Sequence, residues 1–402
     1  MTFTTWSYAA FLAVAVGLRF VVPPRLAGSM LLGLSLIFYA WDTPDDLLVL
    51  LPFLAAIHFI AGRVPPGRPS SRRWLATGVT LSVGLLAYFK YQGLAVEALN
   101  HASWLVGTPL SWVAPRVDPP LGISFFVFLL IHYLVEVHRG NVTRVGVQQE
   151  SLFVLFFPTV LSGPLKRIEN FEPQAESAPR PAADDLHEGL SRLVIGLAKK
   201  TLVADQIAPL TQDVFGHPDA FGAGQLWLAA YGYAVQIYFD FAGYSDMAIG
   251  SARLLGFRVP ENFDYPYFRT NIAEFWRHWH MTLTGWIMQY IYFPLGGNRR
   301  GESRTHANRL IAMTLCGLWH GSAFHFAAWG VYHGLLLNLF HLYRRLRTRA
   351  FPNRPDGIEH PIARLASGLL TFHLVVIGWL FFAADLPVAS SMLGRMLLLT
   401  GP

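Results

Sequence analysis

Charge is what this chain has least of. Of 402 residues, 14% are charged and 53% are hydrophobic, and the mean hydropathy is +0.37. A soluble domain carries about 25% charged residues. The deficit excludes an ordinary cytosolic globule and points to a protein crossing a bilayer several times. Cysteine is nearly absent: one residue, Cys316, excludes an internal disulfide and every cysteine-based metal site. No HExxH-type ligand pair occurs either, and no metal is expected. No polar block is long enough for a separate soluble domain, so a single membrane-embedded domain over residues 1–402 is expected. The first apolar run, residues 6–22, has no basic stretch before it and no A-x-A site after it, so it is expected to be a retained span. Internal repeats are also missing, which speaks against an inverted-repeat transporter. The net charge is +6. In a membrane chain such an excess marks cytoplasmic loops, and no nucleic-acid partner is expected.

Apolar runs are what the chain has most of. They lie near residues 6–23, 27–41, 46–62, 74–90, 121–138, 151–163, 190–210, 225–250, 284–296, 308–321, 323–343 and 363–384. A full span needs about 20 residues. The runs at 151–163 and 284–296 are short and contain internal Pro or Gly. Such half-membrane or re-entrant segments are tolerated only where buried in protein or lining a cavity. The expectation is an all-α polytopic integral membrane protein, with roughly 10–12 membrane helices around an internal cavity.

Arginine sets the orientation. Arg63, Arg68, Arg72 and Arg73 share one loop, Arg299, Arg300, Arg304 and Arg309 a second, and Arg344, Arg345, Arg347, Arg349 and Arg354 a third. The positive-inside rule puts all three in the cytoplasm and the acidic stretch 42–46 on the far side. The segment 308–321 then leaves the cytoplasm, and His320 lies toward its outer end. Residues 170–187, rich in Pro, Ala and acid, read as a surface loop. Residues 189–207 space apolar side chains around Arg192, Lys199 and Lys200, as in an amphipathic interfacial helix.

Polar groups sit inside three of these apolar regions. In 226–250, Gln236, Asp240 and Tyr244 recur at i, i+4 and i+8 and form one helical stripe, with Asp246 at its edge. A carboxylate inside a span costs about 2.5–3.5 kcal/mol and faces a bundle interior or a wet cavity. The alternative is an ion pair or hydrogen bond tying two helices together. If residues 272–290 are helical, Trp276, His280 and Thr284 share a face, with Arg277 and His278 off it. In CGLWHGSAFHFAAWGVYHG (316–334), Cys316 and His320 are one turn apart, and Gly317 and Gly321 form a small-xxx-small pair. A continuing helix would put His325, Trp329 and His333 on a second stripe. Without ligand-pair spacing, the reading for His320 is general-base work, suited to a group titrating near neutrality. Cys316 reads as packing in preference to an acyl-thioester carrier, and His325 and His333 as structural or cavity-lining. Asp240, Tyr244, Trp276, Trp319 and Asn298 are the candidate cavity-lining residues.

Five blocks in order, FFPTVLSGPLKR (156–167), YFDFAGYSDMAIGSARLLGFRVPENFDYPY (238–267), EFWRHWHMTLTGWI (274–287), YIYFPLGGNR (290–299) and LWHGSAFHF (318–326), carry a resemblance. The chain resembles membrane-bound O-acyltransferases of the bacterial branch that acetylates alginate and other surface polysaccharides. The resemblance implies N-terminal membrane helices over 1–119, a catalytic core over 120–384 and a C-terminal segment over 385–402. It implies a thin central wall of re-entrant helices, where a donor-side cavity meets an acceptor-side funnel at His320. By position, the family's near-invariant histidine falls on His320 and its second histidine on His280. The expected activity is O-acetyl transfer in the bacterial inner membrane, with no bound cofactor and with acetyl-CoA as the donor substrate. The acceptor would be the polysaccharide or a periplasmic SGNH-type acetyltransferase partner that then modifies it. D-alanyl or peptidoglycan O-acyl transfer is the alternative within acyl transfer. A transporter, or a non-catalytic docking subunit, is the alternative outside it. Two departures stand out. Met288 and Gln289 replace the family's usual Arg-Asp pair, so a docking or helix-pairing role of that pair does not carry over. The chain also stops at Pro402, where many alginate-type members run on, so a partner contact made by such a tail would be absent or different.

Overall fold

The computed structural model describes residues 1–108, 110–113, 117–351 and 360–398. Among these every regular element is helical, as the apolar runs predict. The chain divides into two compact units, residues 1–198 with 243–261 and residues 199–242 with 262–402. The first contains Trp6–Val21 (α1), Pro24–Ala40 (α2), Leu47–Ala61 (α3), Ser71–Lys90 (α4), Gln92–Leu105 (α5), Ile123–Arg139 (α6), Val147–Leu155 (α7), Ile168–Ser177 (α8) and Ala183–Ala198 (α9). The second contains Asp205–Gly216 (α10), most of Ala223–Leu254 (α11), Ile272–His278 (α12), Met281–Ile287 (α13), Glu302–His320 (α14), Phe324–Ala350 (α15), Pro361–Ala383 (α16) and Leu386–Met396 (α17). The residues of α11 from Gly243 onward belong to the first unit.

Fewer helices are plain spans than expected. Among the described residues, Pro44–Ala61 and Pro361–Ala383 are long and apolar enough to cross a membrane. The pair Ser71–Lys90 and Gln92–Leu105 would make a third, but it is bent by 72°. The helices α1 and α2 stop at 16 and 17 residues. Longer ones carry charge within them, such as Asp240 and Asp246 in α11 and Arg309 in α14. Short and polar segments of this kind need protein or water around them, and not lipid. Residues 170–187 are also not the loop expected. Most of them lie in α8 and the start of α9, where Glu169, Asp184 and Asp185 occupy first helical turns and complement the helix dipole.

Apolar burial does little to bring helices together in lipid, so small residues and polar ties matter more. The first unit uses both. A Cβ on Gly196 would lie 2.6 Å from the Gly243 carbonyl, and one on Gly189 would lie 2.9 Å from that of Gly250, so α9 and α11 touch backbone to backbone. The same pair is tied by Arg192 to Asp246 and by Arg253 to Asp185 at 2.9 Å. Arg192, in the segment expected to form an amphipathic interfacial helix, therefore also ties that helix to α11. Arg19, fully buried, donates to the carbonyls of Leu255 and Ala178 at 3.0 and 2.9 Å. The core beside it is aromatic, with Phe156 packed at inclined or edge-on angles among Phe157, Phe171 and Phe257. In the second unit α14 and α15 form an antiparallel hairpin, and α16 packs on α15.

Candidate active site

His280 and His320 meet in the second unit. Their ring centroids are 6.4 Å apart, with the planes inclined at 58°. His320 is the last residue of α14, and Gly321 beyond it is extended. The hairpin fixes its position. A Cβ on Gly317 would strike the carbonyl oxygen of Phe326, and one on Gly330 that of Met313, so α14 and α15 meet through bare backbone. The expected Gly317/Gly321 pair thus splits: Gly317 makes the helix contact, while Gly321 lies outside the helix under the Phe326 ring. His320 then sits among Trp319, Trp329 and Phe382, at 4.9, 5.4 and 5.0 Å between centroids.

His280 reaches the site by a break in its helix. A single helix over 272–290 would put Trp276, His280 and Thr284 on one face. Instead α12 ends at His278, Trp279 is extended, and His280 is left-handed at φ 43°, ψ 54° before α13 begins. A left-handed non-glycine residue costs on the order of 1–3 kcal/mol, and such strain clusters at functional sites. Residues 262–264 supply the compensation. The Met281 N–H donates to the Asn262 carbonyl at 2.9 Å, and the Asp264 N–H to that of His278 at 3.1 Å. Two bonds from a distant segment thereby replace the helix's own.

The Asn262 side chain then sets the state of the histidine. Its Oδ1 accepts the Thr282 N–H at 3.4 Å and the Thr282 hydroxyl at 2.9 Å, and lies 3.0 Å from Nδ1 of His280. An amide N–H can only donate, so Oδ1 is an acceptor and Nδ1 of His280 carries the proton. Nε2 keeps its lone pair. It is buried and has no hydrogen-bond partner among the described residues. An unsatisfied buried acceptor costs about 1–3 kcal/mol. The geometry therefore suits a hydroxyl donor entering between the two rings. Phe241, edge-on at 4.7 Å, and Trp319, at 5.9 Å, close the sides of His280. Asn262, fully buried, was not among the expected site residues.

The other candidates are distributed differently. Trp319 lies against both histidines. Trp276 packs behind them, on Trp329 at 5.5 Å and His333 at 5.1 Å. His333 is fully buried beside Gly378, and Nδ1–H of His325 donates to the Phe381 carbonyl at 2.9 Å. Cys316 is a buried free thiol. Asp240 is half-exposed and pairs with Lys200 at 2.6 Å, while Gln236 accepts from the Thr211 hydroxyl at 2.5 Å. That stripe ties α11 to residues 199–216. Tyr244 belongs to the first unit, against Phe3 at 4.7 Å. Asn298 lies in the loop before α14, the end of that helix opposite His320. Also in the first unit, His132, Glu136 and Glu169 each place a potential metal-ligand atom within 4.8 Å of the others. Internal partners engage them: Glu136 accepts from Arg139 and Asn141 at 2.8 and 2.6 Å, and Nε2 of His132 accepts the Ile168 N–H at 2.9 Å.

Comparison with known proteins follows the site. Residues 74–377 match the model of the membrane-bound O-acyltransferase family (MBOAT). The chain is 36% identical over 392 residues to the probable alginate O-acetylase AlgI of Azotobacter vinelandii, covering 96% of this chain and 76% of that protein. It is 30% identical over 401 residues to the peptidoglycan O-acetyltransferase of Helicobacter pylori, covering 91% and 73%. It is 28% identical over 276 residues to the teichoic acid D-alanyltransferase of Bacillus subtilis, covering 65% and 68%.

Proposed function

Because the chain belongs to the membrane-bound O-acyltransferase family, we propose that it moves an acetyl group from cytoplasmic acetyl-CoA to a hydroxyl at the outer side of the bacterial inner membrane. The acceptor is an alginate-like exopolysaccharide, or a periplasmic SGNH-type partner that passes the group to the polymer. The observation that carries the reading is the histidine pair, one ring oriented by Asn262 and the other held at a helix end, 6.4 Å apart among aromatic rings.

In this mechanism the acceptor hydroxyl lies between the rings. His320 takes its proton as the oxygen attacks the thioester carbonyl. The C–O bond forms, the C–S bond breaks, and the thiolate leaves with the proton that His320 returns. Nε2 of His280 accepts a hydrogen bond that orients the acceptor. Trp319, Trp329 and Phe382 keep bulk water from competing for the acyl group. General-base catalysis of this kind contributes roughly 10²–10⁴ in rate.

The test replaces His320 by Ala in cells, with the level of membrane-inserted protein followed by immunoblot. Surface-polymer acetylation is expected to fall to background at unchanged protein level. Acetylation at the normal level would overturn the role of His320. A docking subunit would keep its function through that change and lose it on changes in surface loops. Mass spectrometry of envelope glycans with and without the protein separates the acceptors. Acetyl groups lost from peptidoglycan, or D-alanyl groups lost from teichoic acid, would replace the polysaccharide reading.

A further inference from the structure

The buried polar atoms around the histidine pair fall into two sets of opposite chemistry. Nε2 of His280 is a lone pair with no donor facing it among the described residues. The second set lies behind His320. Trp276 on α12 and Trp329 and His333 on α15 form a triangle of rings, with centroids 5.0, 5.1 and 5.5 Å apart. Trp329 and His333 are fully buried, and Trp276 nearly so. Nε1 of each tryptophan and both nitrogens of His333 have no hydrogen-bond partner among the described residues. An indole nitrogen only donates, and a neutral imidazole supplies one donor and one acceptor in either tautomer. The triangle therefore holds three N–H donors against one acceptor. An unsatisfied buried group costs about 1–3 kcal/mol, and phenylalanine at these positions would carry no such cost. The ring planes are inclined at 74°, 89° and 69°, so an N–H can rest on a neighbouring π-face. Such contacts are weak and leave the excess of donors in place. What answers such an excess is an oxygen that only accepts. His320 adjoins both sets, with its ring 6.4 Å from that of His280 and 5.4 Å from that of Trp329.

We infer that the indole N–H groups of Trp329 and Trp276, with the N–H of His333, receive the acyl carbonyl oxygen and hold the negative charge it gains during transfer. The inference rests on the acyl-transfer reading above and adds the electrophilic half of the site. That reaction brings one hydroxyl donor and one carbonyl acceptor to His320, and the two sets of orphan atoms match them one to one. As the hydroxyl oxygen bonds to the carbonyl carbon, the C=O π pair moves onto the carbonyl oxygen and His320 takes the proton. The pair returns as the C–S bond breaks, and the thiolate leaves with the proton from His320. Full charge sits on the carbonyl oxygen only between these two steps. Donors fixed around it in a dry setting therefore act on the transition state more than on the ground state. Trp329 is the donor beside His320, and Trp276 and His333 complete the set. His333, which the proton-transfer steps leave unused, thereby gains a function.

The experiment uses the full chain in lipid nanodiscs. Trp329 is replaced by 3-benzothienylalanine, which keeps the shape of the indole and has sulfur in place of its N–H. His333→Phe removes both imidazole nitrogens and keeps a ring. The probe is the ketone analogue of acetyl-CoA in which methylene replaces sulfur, isotopically labelled at the carbonyl carbon, and the readout is the infrared stretch of that bound carbonyl. The stretch is expected at lower frequency in the wild type than in either variant, because each variant lacks one N–H donor. In turnover with acetyl-CoA, the tryptophan isostere is expected to lower transfer by about 10²–10³, mainly in kcat. The thermal midpoint of both variants is expected to stay at or above that of the wild type, because an unpaired polar group leaves the core. Midpoints that fall in step with activity, with the stretch unchanged, would reduce the triangle to packing. An unchanged stretch overturns the carbonyl assignment whatever kcat does. A changed stretch with kcat within about twofold of the wild type overturns the stabilisation of charge. If the stretch depends on these N–H groups in a protein that transfers no acetyl group, the acyl-transfer reading fails and the carbonyl pocket stands.

Discussion

A lone pair held in a dry place needs something to face, and among the described residues neither backbone nor side chain supplies a partner to Nε2 of His280. Asn262 keeps the proton on the other nitrogen, so Nε2 stays an acceptor able to orient an incoming hydroxyl. Asn262→Ala removes that acceptor and frees the His280 tautomer. Transfer is expected to slow by about 10-fold to 100-fold, mainly in kcat. Asn262→Asp keeps an acceptor at Oδ1 and is expected to retain more activity than the Ala variant. Steady-state assays on purified protein with a soluble acceptor check both, and equal activity of the two variants would remove the orienting role. Much at this scale was legible in the sequence. The histidines of an apolar run, and His280 in a Trp-rich one, pointed to the two rings that the structure brings together. Asn262 was not legible. It lies 18 positions before His280 in a segment without helical periodicity, and a hydrogen bond across that separation leaves no mark in local spacing. Asp240 was legible as a polar group in an apolar helix, but spacing could not tell a cavity from the ion pair with Lys200.

At the scale of elements, the hairpin of α14 and α15 carries the site. Its closest approach needs glycine at two facing positions, Gly317 and Gly330, because backbone atoms occupy the space a Cβ would take. Gly317→Val or Gly330→Val must push the helices apart. Overpacking costs about 1–3 kcal/mol where side chains can give way, and backbone gives way less. Each variant is therefore expected to lower the thermal midpoint in detergent and to lose transfer activity together with it. Gly321→Ala meets only the Phe326 ring, a side chain that can rotate, and is expected to unfold closer to the wild-type temperature. Fluorescence-detected size-exclusion after heating would rank the three. The glycine spacing was readable as a close contact, though not which glycine makes it. The helix break at His280 was hidden for a physical reason. Residues 272–290 have no proline and no internal capping signal at the break. The break exists because residues 262–264 capture the N–H of Met281 and the carbonyl of His278, a competition decided by tertiary structure and not by propensity.

At the scale of the whole molecule, the all-helical class was legible from the apolar runs, while the nature of each segment was not. Hydropathy counts apolar residues without knowing which are covered by protein, so half-length and polar helices were read together with true spans. The alternation of the segments, whichever side is cytoplasmic, can be checked inside the second unit. If the start of α14 and the end of α15 lie on one side, α14 leaves that side, α15 returns and α16 leaves again. His320 at the end of α14 and Phe382 near the end of α16 must then lie on the same side. Their rings touch at 5.0 Å, as the alternation requires. Arg354 lies outside the described residues. The chain is convenient for a direct test because its single cysteine is buried. In a Cys316→Ala background, Arg304→Cys is expected to react with a membrane-impermeant maleimide in inverted vesicles but not in intact spheroplasts, and Thr43→Cys to show the reverse. Labelling of both positions from the same side would break the alternation between them, and the exchanged pattern would invert the reading of every loop. The side on which Arg304→Cys reacts therefore decides which end of α14 faces a cytoplasmic donor and which end, with His320, faces the acceptor.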